Sequence, residues 1–117
     1  MSKDVTIYHN PRCSKSRKTL ALLDERDVAY NVIEYLKTPP TTQEIKAILV
    51  MLGMDARSLL RKKESLYKTK GLDNSSLSEG ALISAIAADP ILMERPIVLS
   101  KDKAIIGRPP ENVLSLI

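Results

Sequence analysis

The chain has no tryptophan, no phenylalanine and only four tyrosines, so its interior must be built from aliphatic side chains. Leu, Ile, Val, Ala and Met dominate a 44% hydrophobic fraction set against 27% charged residues, the balance of an ordinary globular chain. There is one cysteine and one histidine. A single cysteine excludes an internal disulfide, and one Cys beside one His leaves no structural zinc site within the chain. No apolar run approaches membrane-spanning length, and Met1-Ser2-Lys3-Asp4-Val5 carries no apolar core after a basic start. No membrane partner and a cytoplasmic location are therefore expected, and a free thiol suits that reducing compartment. No dense Lys/Arg tract interleaved with aromatics is present, so nucleic acid is not an expected partner. With 18 basic and 14 acidic side chains the formal charge is +4, a modest excess compatible with an anionic ligand. At 117 residues one domain, 1–117, is expected, large enough to bury a modest core unaided.

Val5 to Tyr8 is a short β-branched and aromatic run that stops at His9-Asn10-Pro11, which reads as a buried strand ended by turn residues. From Ser14 to Arg26 the apolar residues Leu20, Leu22 and Leu23 fall at helical spacing, with Ser14 able to cap the start. Ala29 to Leu36 reads as a second strand, parallel to the first after a helical crossover. Thr41 and Glu44 have capping-box spacing ahead of a helix that reaches Leu52 and closes on Gly53. Asp55 opens a shorter helix through Leu60, Lys62 to Asn74 reads as loop, and Ser78-Glu79 opens another helix that ends at Asp89-Pro90. The stretch of about 38–90 is thus a helical insertion without a strand. Pro96 to Leu99 and Ala104 to Ile106 form an antiparallel hairpin across Lys101-Asp102-Lys103, and Pro109-Pro110-Glu111 starts a terminal helix. The order β-α-β, helices, β-β-α matches an α/β class, a thioredoxin-like mixed four-stranded sheet with helices on it.

Cys13 falls at the junction of the first strand and helix, where unsatisfied N–H groups and the helix dipole favour an anion. Arg12, Lys15 and Arg17 add positive charge, and such surroundings commonly lower a thiol pKa from about 8.5 to about 3.5–7.5. A buried, inert thiol is the alternative. Ser16 stands where a dithiol oxidoreductase would carry its second Cys, so the chain cannot resolve a mixed disulfide internally. Its hydroxyl could donate to the thiolate one turn into the helix, or Ser16 could simply be a solvated helix residue. His9 could tune Cys13 or simply hold the strand end, and Asn10 could simply shape the turn. A tyrosine-phosphatase loop would need Arg six residues after the Cys, where this chain has Thr19. Any guanidinium clamp must therefore come from elsewhere. Arg61, Arg95 before Pro96, and Arg108 before Pro109-Pro110 have distinctive settings, though each read alone is an ordinary surface arginine.

Four segments in order, Tyr8-His9-Asn10-Pro11-Arg12-Cys13-Ser14-Lys15-Ser16-Arg17, Leu59-Leu60-Arg61-Lys62-Lys63, Pro90 to Val98 and Gly107-Arg108-Pro109-Pro110-Glu111, resemble the glutaredoxin-coupled arsenate reductase family across essentially the whole chain. The Tyr35-Leu36-Lys37-Thr38-Pro39-Pro40 turn between them is similar too. The resemblance implies Cys13 as nucleophile, Arg61, Arg95 and Arg108 as the oxyanion-binding trio, and His9 and Ser16 as supports of the thiolate. It also implies a cis Arg95-Pro96 bond. Two departures are Gly107, where some members have Cys, and an end at Ile117, short of the extension some members carry. Gly107 is expected to cost nothing and Gly107→Cys to change little, since the resolving thiol is external.

The implied function is reduction of arsenate to arsenite through a thiol-arsenate adduct on Cys13. Glutathione serves as co-substrate and glutaredoxin as the regenerating partner, with no metal and no tightly bound cofactor, and a monomer is expected. One rival is a regulatory binding protein like the Spx-type regulators that contact RNA polymerase, whose redox-sensing members carry C-x-x-C. Another is a thiol reductase acting on a different oxyanion or on a glutathionylated substrate.

Overall fold

The computed structural model describes residues 5–101 and 103–117. Two compact units are present. One runs from the start of the described chain to Thr38 and resumes at Arg95, and the other is Pro39–Glu94. In the first, β1 (Val5–His9), α1 (Ser14–Glu25) and β2 (Tyr30–Glu34) form the expected strand-helix-strand unit, with β1 and β2 parallel and His9 paired to Glu34. The chain then returns as β3 (Ile97–Ser100) and β4 (Lys103–Ile106), each antiparallel to its neighbour. The sheet order is β2-β1-β3-β4, a mixed sheet of four strands. Lys101 takes a left-handed φ of 57° in the hairpin turn, and Asp102 of that turn lies outside the described residues, as do Met1 to Asp4.

Val5, Ile7 and Val98 project from the sheet onto Leu23 of α1 and Val113 of the terminal helix, giving a fully aliphatic core flanked by Leu20, Leu22, Val28 and Ile105. Each fully buried side chain of this size contributes about 1.5–3 kcal/mol of transfer free energy, which fixes the face that α1 presents to the sheet. The terminal segment Pro110–Ser115 is a 3-10 helix and not the expected α-helix. Its side chains compete for the carbonyls: Asn112 Nδ2 donates to the Arg108 carbonyl at 3.1 Å and Ser115 Oγ to the Asn112 carbonyl at 2.9 Å.

The second unit is helical, with α2 (Thr42–Leu52), α3 (Ala56–Leu59), α4 (Ser65–Thr69), α5 (Glu79–Ala88) and a 3-10 turn at Pro90–Leu92. α2 begins with the expected capping box, Thr41 Oγ1 accepting the Glu44 N–H at 3.1 Å while Glu44 Oε1 accepts the Thr41 N–H at 3.0 Å. It ends on Gly53 at φ 67°, a left-handed closure that a side chain would strain. The helix α4 was not expected. It lies inside the polar stretch read as loop, and Tyr67 is its buried anchor. Arg57 ties this region down, donating to Tyr67 Oη at 3.0 Å and to the carbonyls of Leu72 and Asn74 at 2.9 Å each. Among the described residues no helix is long and apolar enough to cross a membrane.

Candidate active site

His9 closes β1, and a tight turn follows in which the Cys13 N–H donates to the Asn10 carbonyl at 3.0 Å. That turn makes Cys13 itself the N-cap of α1, with extended φ and ψ of -93° and 123°, while Ser14 is the first helical residue. Ser14 is therefore not the cap. The Cys13 sulfur occupies the place of a capping oxygen, facing the N–H groups of Lys15 and Ser16, the second and third helical residues. The approach falls short of a full capping hydrogen bond, yet these N–H dipoles act on the sulfur. Burial pushes the thiol pKa up, but the Ser16 N–H, the Arg95 charge, the Lys15 N–H and a hydrogen bond from Arg95 together hold it below its ordinary 9.0. These groups favour the thiolate form of Cys13 at the helix N-terminus, beside the Arg95 guanidinium.

The remaining residues of the turn are braced in detail. Asn10 Oδ1 accepts the Arg12 N–H at 3.0 Å, and Arg17 Nη1 donates to the Pro11 carbonyl at 3.0 Å. Asn10 and Arg17 thus shape the loop. The Ser16 hydroxyl, fully buried, lies 2.6 Å from His9 Nδ1 and accepts the Asn10 N–H at 3.0 Å. Ser16 therefore acts on the sulfur through its backbone N–H, and its hydroxyl is occupied in joining the helix to β1. Burial keeps the His9 pKa below 6.5, with Glu34 opposing and Arg17 adding to the effect.

Arg95 and Arg108 belong to the same unit as Cys13, and Arg61 belongs to the helical unit. Arg95 lies against the sulfur, and its Nε and Nη1 atoms are buried without a hydrogen-bond partner among the described residues. Such orphaned donors suit an external acceptor, because a buried donor left unpaired costs about 1–3 kcal/mol. Arg108 is exposed just beyond β4. Arg61 is held in its own unit by Glu64, with Nη1 to Oε2 at 2.9 Å, and by the Ile91 carbonyl at 3.4 Å. The Arg95-Pro96 bond is cis, and so is Arg108-Pro109.

Gly107 requires a correction. A Cβ there would stand 2.6 Å from Thr19 Oγ1 and 3.0 Å from Pro96 Cγ, so Gly107→Cys cannot be neutral without a shift of α1 or of Pro96. Thr19 sits at the position whose lack of arginine excluded the phosphatase loop, fully buried with its hydroxyl donating to the Lys15 carbonyl at 2.9 Å.

A mixed sheet in the order β2-β1-β3-β4 with a lone cysteine of lowered pKa at the N-cap of the first helix defines a thioredoxin-like thiol protein. The ArsC family pattern matches residues 8–116. The chain is 56% identical to the Uncharacterized protein YfgD of Escherichia coli K12, over 100% of this chain and 99% of the relative. It is 53% identical to the arsenate reductase of Neisseria meningitidis serogroup A, over 94% and 95% of the two chains. Among solved structures, the arsenate reductase of Vibrio cholerae superposes with a TM-score of 0.96 at 48% identity, covering 100% of each chain. The chain belongs to the ArsC family.

Proposed function

We propose that this protein reduces arsenate to arsenite, with Cys13 as the attacking thiolate. The observation that carries the reading is the pairing of a stabilised Cys13 thiolate with Arg95, whose buried Nε and Nη1 donors await an acceptor. Relatives named arsenate reductase at 53% and 47% identity support the substrate. The thiolate attacks arsenic and forms a sulfur-arsenic bond as one oxygen, protonated, leaves as water. Arg95, joined by Arg108, holds the tetrahedral dianion and offsets the charge that builds in the transition state. Glutathione then attacks the Cys13 sulfur, the sulfur-arsenic electron pair stays on arsenic, and As(V) becomes As(III). Two thiols have lost two electrons as one mixed disulfide on Cys13. Glutaredoxin takes the glutathionyl group from that disulfide and returns the Cys13 thiolate.

The external donor follows from the cysteine count: one thiol can open a two-electron reduction and cannot close it. The free thiol requires a reducing compartment, so we place the reaction in the cytoplasm, in a chain acting as a monomer. Arsenite formation measured with glutathione plus glutaredoxin, with thioredoxin alone, and with Cys13→Ser protein as the blank tests the reading. Turnover is expected only with the first donor system. Equal rates for wild type and blank would remove it, and efficient turnover with thioredoxin alone would move the resolving thiol elsewhere.

A further inference from the structure

Beside the Cys13 loop is a second concavity that the chemistry above does not use. It is a cleft of about 210 Å³ at the carboxyl ends of the parallel strands β1 and β2, lined in part by Asn10, Pro11, Arg12, Glu34, Leu36 and Lys37. Open sheets commonly take ligands outside the carboxyl ends of parallel strands, and the His9–Glu34 pairing aligns the two ends here. Pro11 and Leu36 give it apolar wall, and Leu36 is 41% exposed, high for a leucine. Arg12 and Lys37 bring two cations and Glu34 one carboxylate. The Lys37–Glu34 pair is loose, at 3.6 Å with 80% and 41% exposed side chains, and so exposed a pair gives way readily to a ligand.

We propose that this cleft seats the thiol co-substrate, a short zwitterionic peptide carrying two carboxylates, one ammonium group and a central thiol. The inference rests on the proposed reduction and adds where its reductant binds. The charges match one to one: Arg12 and Lys37 take the carboxylates, Glu34 the ammonium. A second acidic group in place of the ammonium would meet Glu34, so a polyanion is disfavoured. The reach also fits. Arg12 and Cys13 are consecutive, about 3.8 Å between α-carbons, and a tripeptide extends to about 10 Å, so its central sulfur reaches the Cys13 loop from this anchor.

Full-length protein labelled with nitrogen-15 and titrated with S-methylglutathione, which keeps the charges and cannot react, is the direct test. Shifts are expected at the amides of Arg12, Glu34, Leu36 and Lys37, and they should weaken in Lys37→Glu. In turnover, Lys37→Glu should raise the KM for glutathione by about fivefold, the upper end for one exposed charge pair, while the KM for arsenate moves by less than about twofold. Circular dichroism of Lys37→Glu checks the fold. Shifts confined to other residues, an unchanged glutathione KM, or the same shifts from inorganic phosphate alone would overturn the cleft assignment. S-methylglutathione bound here without arsenate-dependent turnover would leave the cleft standing and remove the reductase reading instead.

Discussion

One added methyl group at Gly107 probes how β4 and α1 together hold the site. A Cβ at that position stands 2.6 Å from Thr19 Oγ1, 3.3 Å from Thr19 Cγ2 and 3.0 Å from Pro96 Cγ. Neither neighbour has room to retreat. Thr19 has no exposed surface and its hydroxyl is bonded to the Lys15 carbonyl, while the buried Pro96 accepts the Gly107 N–H at 2.9 Å. Overpacking of this kind costs about 1–3 kcal/mol. For a chain of this length each kcal/mol lowers Tm by about 4 °C, so Gly107→Ala should unfold about 4–12 °C below wild type in a thermal melt followed by circular dichroism. Thr19→Ala alone loses a hydrogen bond and opens a small void, at a cost of about 1 kcal/mol. Because that substitution also removes both Thr19 contacts and leaves only the approach to Pro96 Cγ at 3.0 Å, the two costs should fail to add by about 1 kcal/mol in the double variant. Additive costs, or a Gly107→Ala protein within about 0.5 kcal/mol of wild type, would refute the packing. Pro96 follows Arg95, so Gly107→Ala should also lower turnover.

Alkylation of Cys13 followed against pH should reach half its maximal rate below the ordinary value of 9.0, and a midpoint at or above it would refute the activated thiolate. The same shift stabilises the fold above pH 9.0 and that contribution fades as pH falls through the depressed value. Arg95→Ala should raise the alkylation midpoint and lower kcat/KM by about a hundredfold, with Arg95→Lys restoring part of the charge effect and little of the two-pronged binding. A pH profile unmoved by Arg95→Ala would separate Arg95 from the sulfur. His9 has a folded pKa below 6.5, so its protonation favours the unfolded chain and stability should fall as pH drops through 6.5. Tm measured from about pH 7.5 down to 5 should show a shallower fall in His9→Gln than in wild type, and parallel slopes would contradict a buried neutral imidazole.

Much of this architecture is legible in short-range patterns. The Thr41 and Glu44 capping box, the β-branched β1 and the antiparallel pairing of β3 with β4 each follow from patterns a few residues long. The thiol's setting is legible for the same reason, since strand, turn and helix start are contiguous. What escaped depends on partners distant in sequence. Helix α4 forms in a polar stretch because Arg57 bonds Tyr67, Leu72 and Asn74 from 10 to 17 residues away. The sequence leaves Ser16 free either to donate its hydroxyl to the sulfur or to face solvent, but the hydroxyl meets His9 seven residues back, a contact set by how α1 lies on β1. The Gly107 restriction comes from Thr19 on another element, and no local pattern marks it.

A single turnover without glutaredoxin examines the central step most directly. Protein, arsenate and glutathione are mixed, quenched, and analysed for arsenite and for the mass of the Cys13 peptide. One arsenite should form per protein, matched by one glutathionyl group on Cys13, and neither should form in Cys13→Ser or without arsenate. Arsenite released with Cys13 left unmodified and alkylatable, or glutathionylation of Cys13 at the same rate without arsenate, would contradict attack by the Cys13 thiolate on arsenic.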